Sequence, residues 1–148
     1  MKILMSALLL VAAAVAADKP DFSGNWKMDG DKSVFGPMPP PASMTRTIEL
    51  KGAEVSFKQT MTGPEMELTF KFFTDGRETV NSFMGADYKG TANWEGKTLV
   101  FHSRIESDAQ FKSTSKWTLS DDGKTLTEIW SVSSAQGDLE VTYVLVKQ

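Results

Sequence analysis

His102 is the only histidine in this 148-residue chain, and there is no cysteine. That narrows the chemistry at once. A zinc site takes three or four ligands rich in imidazole or thiolate, and one imidazole with carboxylates falls short of that. A serine–histidine–carboxylate relay needs its three groups brought together. Thirteen serines follow residue 17, but His102 alternates with Arg104 and Glu106 opposite Leu99, Phe101 and Ile105, which reads as a charged stripe facing solvent. Met38, Met44, Met61 and Met66 are soft thioethers of the kind that hold copper(I). Their irregular spacing and apolar neighbours assign them to packing. Gly96-Lys97-Thr98 and Gly123-Lys124-Thr125 resemble the end of a phosphate loop. Thr91 and Thr118 stand where such a loop needs its first glycine, however, and both triplets run into strand-like segments rather than a helix. Asp121-Asp122 sets the geometry of a turn. No catalytic constellation, metal site or cofactor is expected, so the chain does not read as an enzyme.

A different set of polar residues is more informative. Gln59, Asn81, Ser103, Ser113 and Ser115 share the parity of apolar neighbours along their segments. Buried polar groups without partners cost ~1–3 kcal/mol each. These five must therefore bond to each other, to ordered water or to a ligand.

The elements that position them are strands. From residue 45 onward, segments rich in Thr, Val, Phe and Trp alternate with turn signals every 8–12 residues. The expected strands are 22–28, 45–51, 54–61, 66–73, 78–84, 87–94, 98–106, 111–119, 125–133 and 139–147. Turns fall at Lys51-Gly52-Ala53, Gly63-Pro64-Glu65, Asp75-Gly76-Arg77, Glu95-Gly96-Lys97, Asp122-Gly123-Lys124 and Gln136-Gly137-Asp138, where glycine supplies the positive φ of tight hairpins. Inner faces are read as Val55-Phe57-Met61, Met66-Leu68-Phe70-Phe72, Leu99-Phe101-Ile105, Phe111-Trp117-Leu119 and Leu139-Val141-Tyr143-Leu145. One dry face and one wet face mark antiparallel strands around a single core. In 125–133, Leu126, Trp130 and Val132 oppose Ile129, and the inner face stays unassigned.

Hairpin-length connections make sequence neighbours sheet neighbours, an up-and-down meander. A flat meander would expose two long edges, and closure removes them. The expected fold is thus all-β, an antiparallel barrel of 8–10 strands. A half-open sheet or a two-sheet sandwich is the other arrangement. Residues 29–44, with four prolines, form neither helix nor strand. They read either as a strap that packs Phe35, Met38 and Met44 against the rim or as a lid over a mouth.

Residues 1–17 have the build of a secretory signal peptide. Lys2 is the positive start, Ile3 to Val15 is apolar except for Ser6, and small residues precede a cut after Ala16 or Ala17. The run is too short for a comfortable membrane span, which takes ~20 apolar residues. The remainder, 18–148, is the size of one domain. The full chain sets sixteen Lys and Arg against nineteen Asp and Glu, a net charge of −3 with a pI near 5.2, and loss of Lys2 with the signal makes it one unit more negative. Charges are interspersed, so nucleic acid and anionic membrane surfaces are poor partners. An exported, monomeric product, secreted or periplasmic, is expected. Without disulfides, burial and backbone pairing supply its stability.

Phe22-Ser23-Gly24-Asn25-Trp26 resembles the G-x-W signature opening the first strand of lipocalins and their calycin relatives. The resemblance implies a barrel over residues 20–148, with Trp26 plugging the closed end and Gly24 allowing close backbone approach. The opening, the proline-rich strap and W-T-L-S-D-D-G-K-T-L at 117–126 also resemble a group of small exported bacterial proteins, which brings no activity with it. Departures from the pattern are specific. The last-strand arginine that packs over the plug tryptophan in lipocalins is absent, and residues 138–148 offer only Lys147. The proline-rich segment cannot build the helical pair of the intracellular fatty-acid-binding relatives. Their carboxylate-binding R-x-Y is missing too, because Val141 stands two before Tyr143. The implied role is a container for a small, largely apolar molecule, with Phe35 and Met38 near the entrance. Phe57, Gln59, Phe70, Asn81, Phe101, Ser103 and Trp117 would be in contact with it. The other reading is a filled barrel serving as an envelope structural or interaction module.

Overall fold

Alternating apolar and polar residues draw the chain into ten antiparallel strands in a computed structural model that describes residues 19–148. The expected signal segment, 1–17, lies outside those residues. In chain order the strands are β1 (Gly24–Met28), β2 (Ser43–Lys51), β3 (Glu54–Thr62), β4 (Met66–Phe73) and β5 (Thr79–Phe83). They continue as β6 (Ala86–Glu95), β7 (Thr98–Ile105), β8 (Asp108–Leu119), β9 (Thr125–Ser134) and β10 (Gly137–Lys147). No helix occurs among the described residues. All ten strands belong to one sheet, ordered β4-β3-β2-β1-β10-β9-β8-β7-β6-β5.

The first and last strands meet. Trp26 pairs with Lys147 and Met28 with Leu145, so β1 and β10 lie side by side. Every sequence-adjacent pair is laddered except β4 and β5, so the barrel is nearly closed, with one seam. The cause is the connection after Phe73. Asp75-Gly76-Arg77, expected as a hairpin turn, instead swings to β6, where Asp75 bridges Asn93 and the Gly76 N–H donates to the Ala92 carbonyl at 3.1 Å. Side chains close the seam that the backbone leaves. Asn81 accepts from the Lys71 N–H at 2.8 Å and donates to the Lys71 carbonyl at 3.0 Å. The Thr79 hydroxyl donates to the same carbonyl at 3.0 Å. One amide thus does the pairing that a facing strand residue would do.

The Gly-Lys-Thr triplets are hairpin corners, with Gly96 and Gly123 at φ +62° and +72°. β8 starts at Asp108, three residues earlier than the apolar pattern indicates, and a register shift at Arg104/Ile105 absorbs the difference.

At the lower end, Phe22, Trp26, Trp117, Leu99, Leu126 and Leu145 are fully buried. Phe22 stacks on Trp94 with ring centres 6.0 Å apart and meets Trp117 edge-on at 5.8 Å. The Trp26 indole N–H donates to the Phe22 carbonyl at 2.9 Å. Lys147 supplies what the missing last-strand arginine would have supplied. Its ammonium lies 5.7 Å from the centre of the Trp26 ring, a cation–π arrangement. Gly24 has φ +137°, a backbone conformation that L side chains rarely adopt, which is what calls for glycine there; the flexible end of Lys147 lies 3.0 Å from where a Cβ would stand.

The segment between Met28 and Ser43 is a strap along β10. Val34 exchanges both backbone hydrogen bonds with Thr142 at 2.8 Å, and the Asp29 N–H donates to the Val144 carbonyl. It therefore prolongs the short β1 toward the upper rim. Tethering of this kind supports the strap over the lid.

Candidate binding cavity

Above the aromatic floor the barrel is hollow. A cavity of about 330 Å³ occupies its upper half, at the small end of the ~300–1,000 Å³ usual for small-molecule sites. Phe57, Phe70, Phe72 and Phe101 form one aromatic wall, Trp117 packs against Phe57 and Phe101, and Trp130 and Tyr143 complete the ring of aromatics. The rings meet largely edge-on: Phe72–Phe101 at 5.0 Å, Phe57–Trp117 at 5.2 Å, Phe57–Phe70 at 5.9 Å. Gly90 makes room for this cluster, since a Cβ there would sit 2.6 Å from the Phe72 ring. A larger depression of about 490 Å³ lies outside, against β8, β9 and β10, but its rim carries exposed Lys112, Asp138 and Glu140 and it encloses nothing.

Seven of the nine expected contact residues line the hollow: Met38, Phe57, Gln59, Phe70, Phe101, Ser103 and Trp117. Two do not. Phe35 packs edge-on against the Tyr143 ring at 5.9 Å, outside the cavity wall. Asn81 has the correct parity and is buried, but its amide is occupied at the β4–β5 seam.

The centre of the cavity holds two charges that the parity reading did not single out. Arg46 comes from β2, between the inward-facing Met44 and Ile48, and is only 3% exposed. Glu128 comes from β9, between Leu126 and Trp130, and is 7% exposed. They meet across the barrel, Arg46 Nη2 donating to Glu128 Oε1 at 2.6 Å. Register explains the rest of the cluster. Gln59 is directly opposite Arg46 on β3, and its Oε1 accepts from Arg46 Nε at 3.0 Å and Nη2 at 2.6 Å. Trp117 is directly opposite Glu128 on β8, and its indole N–H donates to Oε2 at 2.8 Å, joined there by the Ser115 hydroxyl. The guanidinium carbon lies 5.0 Å from the centre of the Trp117 ring and 5.4 Å from that of Phe57.

These contacts fix the charge states. Burial pushes the Glu128 carboxyl up, but the Arg46 charge and the hydrogen bonds from Ser115, Arg46 and Trp117 outweigh it and hold the group below the ordinary glutamate value. Tyr143, beside Glu128 in register on β10, is pushed up to about 12, by burial first and by the Glu128 charge second. One donor set is left over. Arg46 Nη1 is buried and has no hydrogen-bond partner.

His102 sits on the outer face, its Nδ1 3.2 Å from the Thr114 hydroxyl. Arg104 pairs with Glu78 at 3.1 Å, and Glu106 pairs with Lys89. The stripe faces water, as its parity indicates.

No family model matches the sequence, and no curated protein matches it. Solved structures do share the fold. A secretory abundant heat soluble protein from Ramazzottius varieornatus superposes with a TM-score of 0.70 at 11% identity, over 90% of this chain and 99% of that one. The zebrafish ileal bile acid-binding protein complexed with cholic acid gives 0.64 at 20% identity, over 86% and 98%. A REP1-NXSQ fatty acid transporter gives 0.61 at 16% identity, over 85% and 95%. The architecture is accordingly a ten-strand barrel of the lipocalin and calycin type.

Proposed function

We propose that the chain is an exported, monomeric carrier that encloses one small, largely apolar molecule in the upper half of its barrel. The observation that supports this most is the cavity of about 330 Å³, walled by aromatic rings and methionines and containing one ion pair. Apolar sites with a few convergent polar groups are the usual form of small-molecule pockets. Structurally similar barrels are named for fatty acid transport and bile acid binding. The filled-barrel reading suits the lower half, where Phe22, Trp26 and Leu99 leave no exposed surface. It does not suit the upper half.

Met38 of the strap, with Met61 and Met66 at the facing ends of β3 and β4, borders the cavity at the upper rim. Methionine is pliant enough to yield to an entering ligand. The test is titration of the purified mature protein with Nile red, a neutral apolar fluorophore. Saturable one-to-one binding is expected. Replacing Ser113 by Trp, which fills the hollow from β8, should abolish it while the far-ultraviolet circular dichroism keeps its β signature. Absence of saturable binding by the folded wild type overturns the proposal. Export is checked separately by the mature N-terminus of the protein recovered outside the cytoplasm.

A further inference from the structure

The cavity wall contains two charged side chains, Arg46 and Glu128, of opposite sign. Their ion pair leaves the wall with no net charge. Glu128 is committed through both oxygens: Oε1 takes Arg46 Nη2, and Oε2 takes the Trp117 indole and the Ser115 hydroxyl. Arg46 is committed only in part. Nε and Nη2 serve Gln59 and Glu128, while both N–H bonds of Nη1 stay unpartnered on a side chain that is 2% exposed. Buried donors of this kind are uncommon in folded proteins and call for an acceptor.

Charge decides what sort of acceptor fits. A carboxylate on Nη1 would be the second anion on a single guanidinium, within a low-dielectric pocket that already balances. Taking an uncompensated charge out of water is far costlier than taking a neutral carbonyl or hydroxyl. A neutral oxygen satisfies Nη1 and leaves the balance intact. Tyr143 adds no charge, because its phenol stays protonated far above neutral pH.

Resting on the carrier reading above, the geometry points to a neutral molecule with an alcohol, aldehyde, ketone or ester oxygen at one end, seated on Arg46 Nη1. A fatty carboxylate is disfavoured. Arg46 lies inward of the β2 terminus at Ser43, so the polar end enters first and the apolar remainder runs toward Met66, Phe83 and Phe111 near the upper strand ends.

Displacement of Nile red by a straight-chain alcohol, its aldehyde and the carboxylic acid of equal length tests this at neutral pH. In the wild type the alcohol and aldehyde should displace the dye at concentrations at least about tenfold lower than the acid, because only the acid must bring an uncompensated charge, or the cost of neutralising it, into the pocket. Glu128→Gln removes the competing anion and should reverse the order in favour of the acid. Arg46→Met removes the Nη1 donor and should weaken the alcohol and aldehyde about tenfold, the scale of one charge-assisted hydrogen bond, without improving the acid. Acid binding equal to or tighter than the alcohol in the wild type overturns the inference while sparing the carrier. Failure of the dye and all competitors to bind overturns both. Should Glu128→Gln not fold, nuclear magnetic resonance of the acid with an isotope-labelled carboxyl, bound to wild type, still decides: a neutral carboxyl signal supports the inference, and an ionised one overturns it.

Discussion

Arg46 and Glu128 are where single residues matter most. A buried pair with good geometry contributes little compared with an apolar replacement, but removing one partner strands a charge, at a cost of about 3–5 kcal/mol. Arg46→Ala should lower stability by that order in urea titration, and Arg46→Met with Glu128→Leu together should lower it far less. The pair also sets a pH dependence. The folded Glu128 carboxyl lies below its ordinary value of 4.5, so its contribution is complete above that value and is lost as pH falls through the depressed one. Unfolding free energy measured against pH should therefore drop on acidification, and Glu128→Gln should flatten that drop. It will not remove it, because Asp21, Asp75, Asp122 and Glu106 are lowered too. At the other end, Tyr143 contributes stability below its ordinary value of 10.0 that is lost as pH rises toward about 12. Phenolate absorbance of the folded protein should lag behind that of the unfolded chain.

Among the elements, the strands carry most of their own instructions, and the exception is the join between β4 and β5. Proline is absent from every strand, glycine marks the corners, and the pleat sends alternate residues inward. Those signals place the strands to within a few residues. They do not reveal that five residues between β4 and β5 fail to make a hairpin, because Asp75-Gly76-Arg77 has the chemistry of one. What diverts it is a partner eighteen residues on, Asn93, and no local pattern contains that contact. Asn81 then replaces backbone pairing with its amide. Asn81→Ala should cost about 1–3 kcal/mol, the penalty for stranding buried hydrogen-bonding groups. Amide hydrogen exchange at Lys71 should speed up before that at residues on β8 or β9. Unchanged exchange at Lys71 would mean that water or a neighbour fills the seam.

For the whole molecule, closure and hollowness have separate causes. Closure comes from β1 meeting β10, with Lys147 lying over Trp26 and the strap extending the contact from Asp29 to Val34. Hollowness arises because Ser103, Ser113 and Ser115 contribute small side chains to the upper wall while large rings crowd below. A ligand that binds only the folded form stabilises it by about 2.7 kcal/mol at one hundred times its dissociation constant. Thermal melts with a saturating neutral long-chain alcohol should shift upward in wild type. They should not shift in Ser113→Trp, the variant whose interior is filled.

The sequence alone determined a count of eight to ten strands, their spacing, the two faces of most strands and most of the aromatic wall, because these depend on side-chain parity and turn chemistry within a few residues, while the Trp26 floor was implied by the resemblance to lipocalins. It also implied that polar groups lie inside. Tertiary structure alone decided which of those groups are occupied and which are open. Arg46 and Glu128 are separated by eighty-two positions, and each looks like a solvated charge until the curl of the sheet brings them face to face. Asn81 and Gln59 read alike along the chain, yet one joins the seam and the other holds an arginine. The difference is register and curvature, which fix distances across the barrel that no periodicity along a strand encodes.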